Sequence, residues 1–159
     1  MTRAAVITVS DRSSTGARPD ESGPVAVAAL RGAGYECDDA VIVSDGAESV
    51  ERALQAEIMA GVKLIVTTGG TGVGPRDETP EGTLRVVTRE VPGIAEELRR
   101  RGAAEKPAGM LTRGIAGVAD PHGVLIVNLP GSPRGVASGM PVLLSVAGHV
   151  LDQLGGGDH

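Results

Sequence analysis

A chain of 159 residues is long enough for one domain with a complete core and short for two. Its net charge is −5 and its one basic run is Arg99-Arg100-Arg101, which reads as a solvated helix face, so neither nucleic acid nor a membrane surface is expected as principal partner. With one Tyr, no Phe and no Trp, the core has to be built from Val, Leu, Ile and Ala, and stacking of a planar ligand on aromatic rings is largely excluded.

No segment approaches about 18 uninterrupted apolar residues and the N-terminus passes straight into a strand, so no membrane span or signal peptide is expected, and the compartment is read as cytoplasmic. The single cysteine, Cys37, excludes an internal disulfide. Its neighbours Glu36, Asp38 and Asp39 would raise a thiol pKa, which makes it structural. His122, His149 and His159 have no zinc-site spacing.

In chain order, residues 4–9 read as an apolar strand that runs into Ser10, Asp11, Arg12, Ser13, Ser14, Thr15 and Gly16. That loop has the groups to grip a polar ligand, and equally those of an ordinary solvated connection. Residues 24–30 fit a helix opened by Ser22 or Gly23 and closed at Gly32 or Gly34. Residues 41–43 form a second strand. After it, Asp45 and Glu48 have the spacing of a capping box for a helix carrying Val50, Leu54 and Ile58 on one face, so Asp45 can be a cap or a site residue.

Residues 64–67 are a compact β-branched run, the pattern of a strand buried on both faces. Gly69, Gly70, Gly72 and Gly74 follow, able to take positive φ and to turn backbone N–H groups toward a close ligand. Thr79, Pro80 and Glu81 then read as a hydroxyl N-cap, a proline at the first helical position and an acidic first turn, an anion-binding arrangement. The loop is neither familiar phosphate loop. Gly69 and Gly74 have P-loop spacing, but Pro75-Arg76 stands where Lys-Ser/Thr belongs, and Pro75 also breaks the dinucleotide fingerprint.

A helix over 79–88, another from Pro92 to near Gly102, a connection at 106–109 and a weak strand at 115–118 come next. Residues 124–129 form a second strongly buried strand, leading through Asn128, Pro130 and Gly131 to Ser132 as N-cap and Pro133 as first residue of a long final helix. Residues 155–159 are expected to be a disordered tail behind a single domain over 1–154. Strands alternating with helices imply an α/β domain with a mostly parallel sheet covered on both faces and a ligand beyond the strands' carboxyl ends. The loops at 10–16, 44–46, 69–79 and 128–134 bring Arg12, Arg76 and Arg134 together with Asp11, Asp45 and Asp77. Amides and cations suit phosphate, and paired carboxylates suit hydrated Mg²⁺.

Thr67-Thr68-Gly69-Gly70-Thr71-Gly72, then Arg76-Asp77 with Thr79-Pro80-Glu81, Asn128-Leu129-Pro130-Gly131-Ser132-Pro133, and Ser10-Asp11-Arg12-Ser13 after the first strand, resemble the Mog/MoaB family of molybdenum-cofactor biosynthesis proteins, in the family's order. The resemblance implies a three-layer α/β/α sandwich of molybdopterin-binding-domain type, commonly a homotrimer, that binds molybdopterin. In catalytic members it implies Mg-ATP-dependent adenylylation of the terminal phosphate of molybdopterin before molybdenum insertion; other members imply a pterin-binding carrier or scaffold, with other cofactor-biosynthesis proteins as partners. The family's two important aspartates fall on Asp45 and Asp77, assigned to catalysis and Mg²⁺. Ser10, Asp11, Arg12, Ser13, Gly69, Gly70, Thr71, Gly72, Thr79, Pro80, Glu81, Asn128, Pro130, Gly131, Ser132 and Arg134 are assigned to ligand binding. Thr112 stands where the family usually has Ser, and Arg134 where many members have Lys.

Overall fold

A computed structural model of the chain describes residues 1–158; His159 lies outside the described residues. In chain order the elements are β1 (Arg3–Val9), α1 (Asp11–Ser14), α2 (Gly23–Gly32), β2 (Glu36–Cys37), β3 (Val41–Val43), α3 (Ala47–Met59) and β4 (Leu64–Thr68). The second half contains α4 (Thr79–Leu84), β5 (Arg89–Glu90), α5 (Pro92–Glu105), a 3-10 turn (Pro107–Leu111), β6 (Ala116–Ala119), β7 (Val124–Leu129) and α6 (Pro133–Leu154).

The seven strands form one sheet in the order β2-β1-β4-β7-β6-β5, with β3 also on β1. Pairing is parallel from β2 and β3 through β1 and β4 to β7, and antiparallel from β7 to β6 and β6 to β5. Side chains alternate between the two faces of each strand. Ala4, Val6, Leu64, Val66, Leu125 and Val127 therefore pack on one side against Leu30 of α2, Ile94 of α5 and Val136, Met140 and Leu143 of α6. Ala5, Ile7, Ile65, Val124 and Ile126 pack on the other against Val50, Leu54 and Ile58 of α3. This is the expected sandwich, with aliphatic cores on both faces of β4. Cys37 belongs to the first core, and burial is the chief cause of its raised thiol pKa.

Several elements differ from the sequence expectation. The loop after β1 contains the one-turn α1, capped by Ser10 Oγ accepting from Ser13 N–H. α4 stops at Leu84 instead of reaching 88, because β-branched Val86, Val87 and Thr88 disfavour helix and Thr88 N–H joins Val118 O at 2.8 Å. Residues 107–111 are helical rather than open loop. α6 meets the length and composition of a membrane helix, yet Val136, Met140, Leu143 and Ala147 make it a core helix. Its end is closed by Gly155, Gly156 and Gly157 N–H groups bonding to Leu151, Gln153 and Asp152 carbonyls.

Candidate active site

The parallel register aligns the strand ends. Thr8 of β1 pairs with Thr68 of β4, which pairs with Leu129 of β7, so the loops after these strands leave the sheet side by side. Ser10 N–H donates to Val43 O and Gly69 N–H to Leu129 O, joining all four expected loops at one edge. Gly69 and Gly70 take φ of 93° and 68°, where a side chain would be strained. A Cβ on Gly69 would lie 2.3 Å from Val9 O, and one on Gly131 3.3 Å from Gly69 Cα, so the first and last loops touch the glycine loop directly. Gly72 and Gly74 do not have positive φ; they are small because a Cβ would lie 3.0 and 2.8 Å from Asp77 Oδ2.

The loop carbonyls are tied back in series. Thr79 Oγ1 donates to Gly69 O at 2.9 Å and Thr79 N–H to Gly70 O at 3.1 Å. Arg113 N–H donates to Thr71 O at 2.7 Å and its Nε to Gly72 O at 2.8 Å. In a planar trans peptide the N–H opposes the carbonyl. The N–H groups of Gly70, Thr71, Gly72 and Val73 are thereby turned away from these anchors, and among the described residues they reach no protein acceptor. Ser22 Oγ likewise holds Gly131 O at 2.5 Å, turning Ser132 N–H outward at the start of the 22-residue α6, whose N-terminus favours anions. Ser132 Oγ accepts from Gly135 N–H at 3.1 Å, as expected of an N-cap.

Two cavities open beside this backbone. One of about 490 Å³ is lined by Ser10, Ser13, Asp45, Gly70, Asp77 and Ser132. Within it, Asp45 Oδ2 accepts from Asp11 N–H at 3.0 Å, and Asp77 Oδ2 accepts from Gly74 N–H at 2.9 Å. Burial raises the Asp45 pKa; the Asp11 N–H works against that shift, and the Asp11 and Asp77 charges add to it. The second cavity, about 380 Å³, runs between the 3-10 turn and α6, with Leu98 and Val142 on its walls and Arg101, Lys106 and Arg134 supplying positive charge.

Asp45 is not a helix cap. Gly46, at φ 123°, occupies the N-cap of α3, and Glu78 Oε2 accepts from Ala47 N–H at 3.0 Å instead. Thr79 is the first residue of α4 rather than its cap, its hydroxyl being directed at the glycine loop, and α4 itself has only six residues. Thr79 and Pro80 are buried beneath the loop. Glu81 is drawn into an ion pair with Arg113 at 2.7 Å. Asn128 is a framework residue: its amide donates to Thr67 Oγ1 and Thr83 Oγ1 at 2.9 and 3.0 Å and accepts from Ile115 N–H at 3.1 Å. Arg12 is exposed and lines neither cavity. Arg76 is spent on Asp11, with Nε and Nη2 both at 3.0 Å, and this lowers the Asp11 pKa. Thr71, Gly72, Asn128, Pro130, Gly131, Ser132 and Arg134 line the second cavity.

Among the described residues no cluster of three or more His, Cys, Asp or Glu is arranged to hold a metal. Asp45 and Asp77 on one cavity nonetheless match hydrated Mg²⁺, which takes one or two carboxylates and draws other ligands from water and a bound phosphate. Sequence reasoning missed Arg113 and Glu78; both act through loop backbone, which no motif spacing reveals.

Residues 5–149 match the family described as "Probable molybdopterin binding domain". The chain is 40% identical over 156 residues to the molybdenum cofactor biosynthesis bifunctional protein of Synechococcus elongatus, covering 98% of this chain and 48% of that one. It is 35% identical over 149 residues to the molybdopterin adenylyltransferase of Pyrococcus furiosus, covering 92% and 87%. The molybdopterin biosynthesis Mog protein structure from Mycobacterium ulcerans superposes with TM-score 0.89 at 43% identity, covering 97% and 99%. The chain spans about half the length of the two bifunctional relatives it matches, 48% and 50%.

Proposed function

The chain belongs to the molybdopterin-binding domain family of molybdenum-cofactor biosynthesis proteins, and we propose that it transfers an adenylyl group from Mg-ATP to the terminal phosphate of molybdopterin. The observation that carries this reading is the run of backbone N–H groups at 70–73, which among the described residues reach no protein acceptor, in a loop whose Gly70 lines one cavity with Asp45 and Asp77 and whose Thr71 and Gly72 line the other. It joins an anion cradle to a cation site.

In the reaction a phosphate oxygen of molybdopterin bonds to the α-phosphorus of ATP, and the bond from that phosphorus to the pyrophosphate oxygen breaks. No protein nucleophile is needed; the protein's work is to position two phosphates and stabilise their charge. The loop N–H groups and Ser132 N–H hold phosphate oxygens, and Arg134 neutralises a second anionic group from the neighbouring cavity. Asp45 and Asp77 would hold Mg²⁺, which supplies charge neutralisation of the departing pyrophosphate when bound. The same reading includes a cytoplasmic homotrimer, for which the groove lined by Val25, Ala29 and Leu144 between α2 and α6 is a candidate contact face.

Purified protein given molybdopterin and Mg-ATP should release pyrophosphate. Pterin binding without pyrophosphate release would leave the carrier reading in its place, and absence of pterin binding would remove both.

A further inference from the structure

Arg113 makes more bonds to the glycine loop than any catalytic hypothesis requires of it. Its own N–H holds Thr71 O at 2.7 Å, Nε holds Gly72 O at 2.8 Å, and Nη2 holds Asp77 O at 2.7 Å. Nη1 and Nη2 also fork onto the Glu81 carboxylate at 2.7 and 3.2 Å. Between the anchored Gly72 and Asp77 carbonyls the chain forms one small turn, with Asp77 N–H on Gly74 O at 3.1 Å and Gly74 N–H on Asp77 Oδ2 at 2.9 Å. That turn carries the Asp77 carboxylate and ends the N–H row. Its Val73 is exposed, and on the side away from Arg113 the turn is tied, among the described residues, only through Arg76 to Asp11 and Asp45 O.

Arg113 is itself fixed. Arg99 of α5 donates to Thr112 O at 2.9 Å and to Gly114 O at 3.0 Å, the carbonyls on either side of it. A planar guanidinium holds several acceptors at set angles, which a lysine point charge does not. The connection therefore runs from α5 through Arg99 and Arg113 to the loop.

We propose that Arg113 is a positioning residue for the adenylyl transfer, clamping the Gly72 and Asp77 ends of the loop so that the N–H row and the Asp77 carboxylate address the same phosphates. The proposal rests on the function given above. It assigns Arg113 no contact with substrate. It predicts that losing the fork displaces Asp77 and the N–H row together, and a misplacement of about 1 Å costs on the order of 100-fold in rate.

The test compares wild type, Arg113→Gln and Arg113→Lys by kcat, KM for molybdopterin, the Mg²⁺ concentration giving half-maximal rate, and thermal midpoint. Both variants should keep their midpoint to within a few degrees while kcat falls by at least about tenfold and the Mg²⁺ requirement rises, with KM changing much less. Arg113→Lys at wild-type kcat and Mg²⁺ requirement would overturn the clamp, as would a kcat loss that merely tracks a collapsing midpoint in both variants. Wild-type turnover is measured first. If it is absent, the adenylyl-transfer reading fails and the clamp is read by calorimetry with Mg-ATP: weaker binding in Arg113→Gln supports it, and equal binding overturns it.

Discussion

Asp11 and Asp45 hold each other's backbone: Asp11 N–H donates to Asp45 Oδ2 at 3.0 Å, and Asp45 N–H donates to Asp11 Oδ1 at 3.1 Å. The exchange locks the loop after β1 to the loop after β3, but it places two carboxylates close together. Only Asp11 has an arginine, Arg76, forked onto it. Asp45 is left partly buried, facing like charge, with its pKa raised.

A residue in that position should sacrifice stability for function. Asp45→Asn keeps an acceptor for Asp11 N–H and removes the unfavourable charge, so without Mg²⁺ its thermal midpoint at neutral pH should equal or exceed that of the wild type. Turnover should drop by at least about tenfold, because the cation loses a ligand. Calorimetric unfolding and pyrophosphate release on the same preparation check both halves. A destabilised variant with full activity would reverse the assignment and return Asp45 to a structural role.

The pH dependence has two parts of opposite sign. Asp45, with its folded pKa raised mainly by burial, favours the folded state most when protonated, and that contribution is lost as pH rises through its folded pKa. Asp11 and Glu81, lowered mainly by hydrogen bonds from Arg76 and Arg113, contribute stability above ordinary carboxylate pKa values and lose it as pH falls through their lower folded values. Without Mg²⁺, acidification should therefore protonate Asp45 before the loop ion pairs fail. Thermal midpoints of wild type and Asp45→Asn measured across the same metal-free buffers should converge as pH falls through the Asp45 titration, ahead of the loss that both share. A midpoint difference that stays constant at every pH would contradict this ordering.

The glycines separate into two kinds. Gly70→Ala puts a Cβ at positive φ and 2.1 Å from Thr79 Oγ1, so it should cost on the order of 1–3 kcal/mol and disrupt the loop anchor. Gly72→Ala meets Asp77 Oδ2 at 3.0 Å without positive φ, so it should spare stability and lower turnover by moving Asp77. Denaturant melts of both variants beside their rates test the distinction, which fails if Gly72→Ala is the more destabilised of the two.

Asn128→Ala should act first on the fold, although Asn128 also lines the second cavity. It strips partners from Ile115 N–H and from the Thr67 and Thr83 hydroxyls in a buried network, at about 1–3 kcal/mol. Ligand affinity measured well below the melting transition should stay near wild type. A large affinity loss with unchanged stability would make ligand contact in the second cavity the main role of Asn128.

The sheet and its site edge were legible because their signals are local. β-branched runs at β1, β4 and β7 mark strands buried on both faces, and Ser132-Pro133 marks the start of α6. The short strands β2 and β5 are two residues each, too brief for any periodicity, and exist only because β1 and β6 offer pairing partners. Asp45 looked like a cap because Glu48 stands three residues on, while the group that caps α3 is Glu78, distant in sequence. Arg76 looked like a free phosphate ligand for the same reason: its partner Asp11 lies 65 residues away. Charges near a motif are visible in sequence, whereas their commitments across loops are set by the fold.

The most direct measurement is pyrophosphate release by wild type and Asp77→Asn, each supplied with molybdopterin and Mg-ATP, alongside pterin binding by both. The account predicts pyrophosphate and adenylylated pterin formed one for one by the wild type, and in Asp77→Asn a turnover at least about tenfold lower with pterin still bound. Wild-type protein that binds the pterin and releases no pyrophosphate, or Asp77→Asn turning over at the wild-type rate, would contradict it.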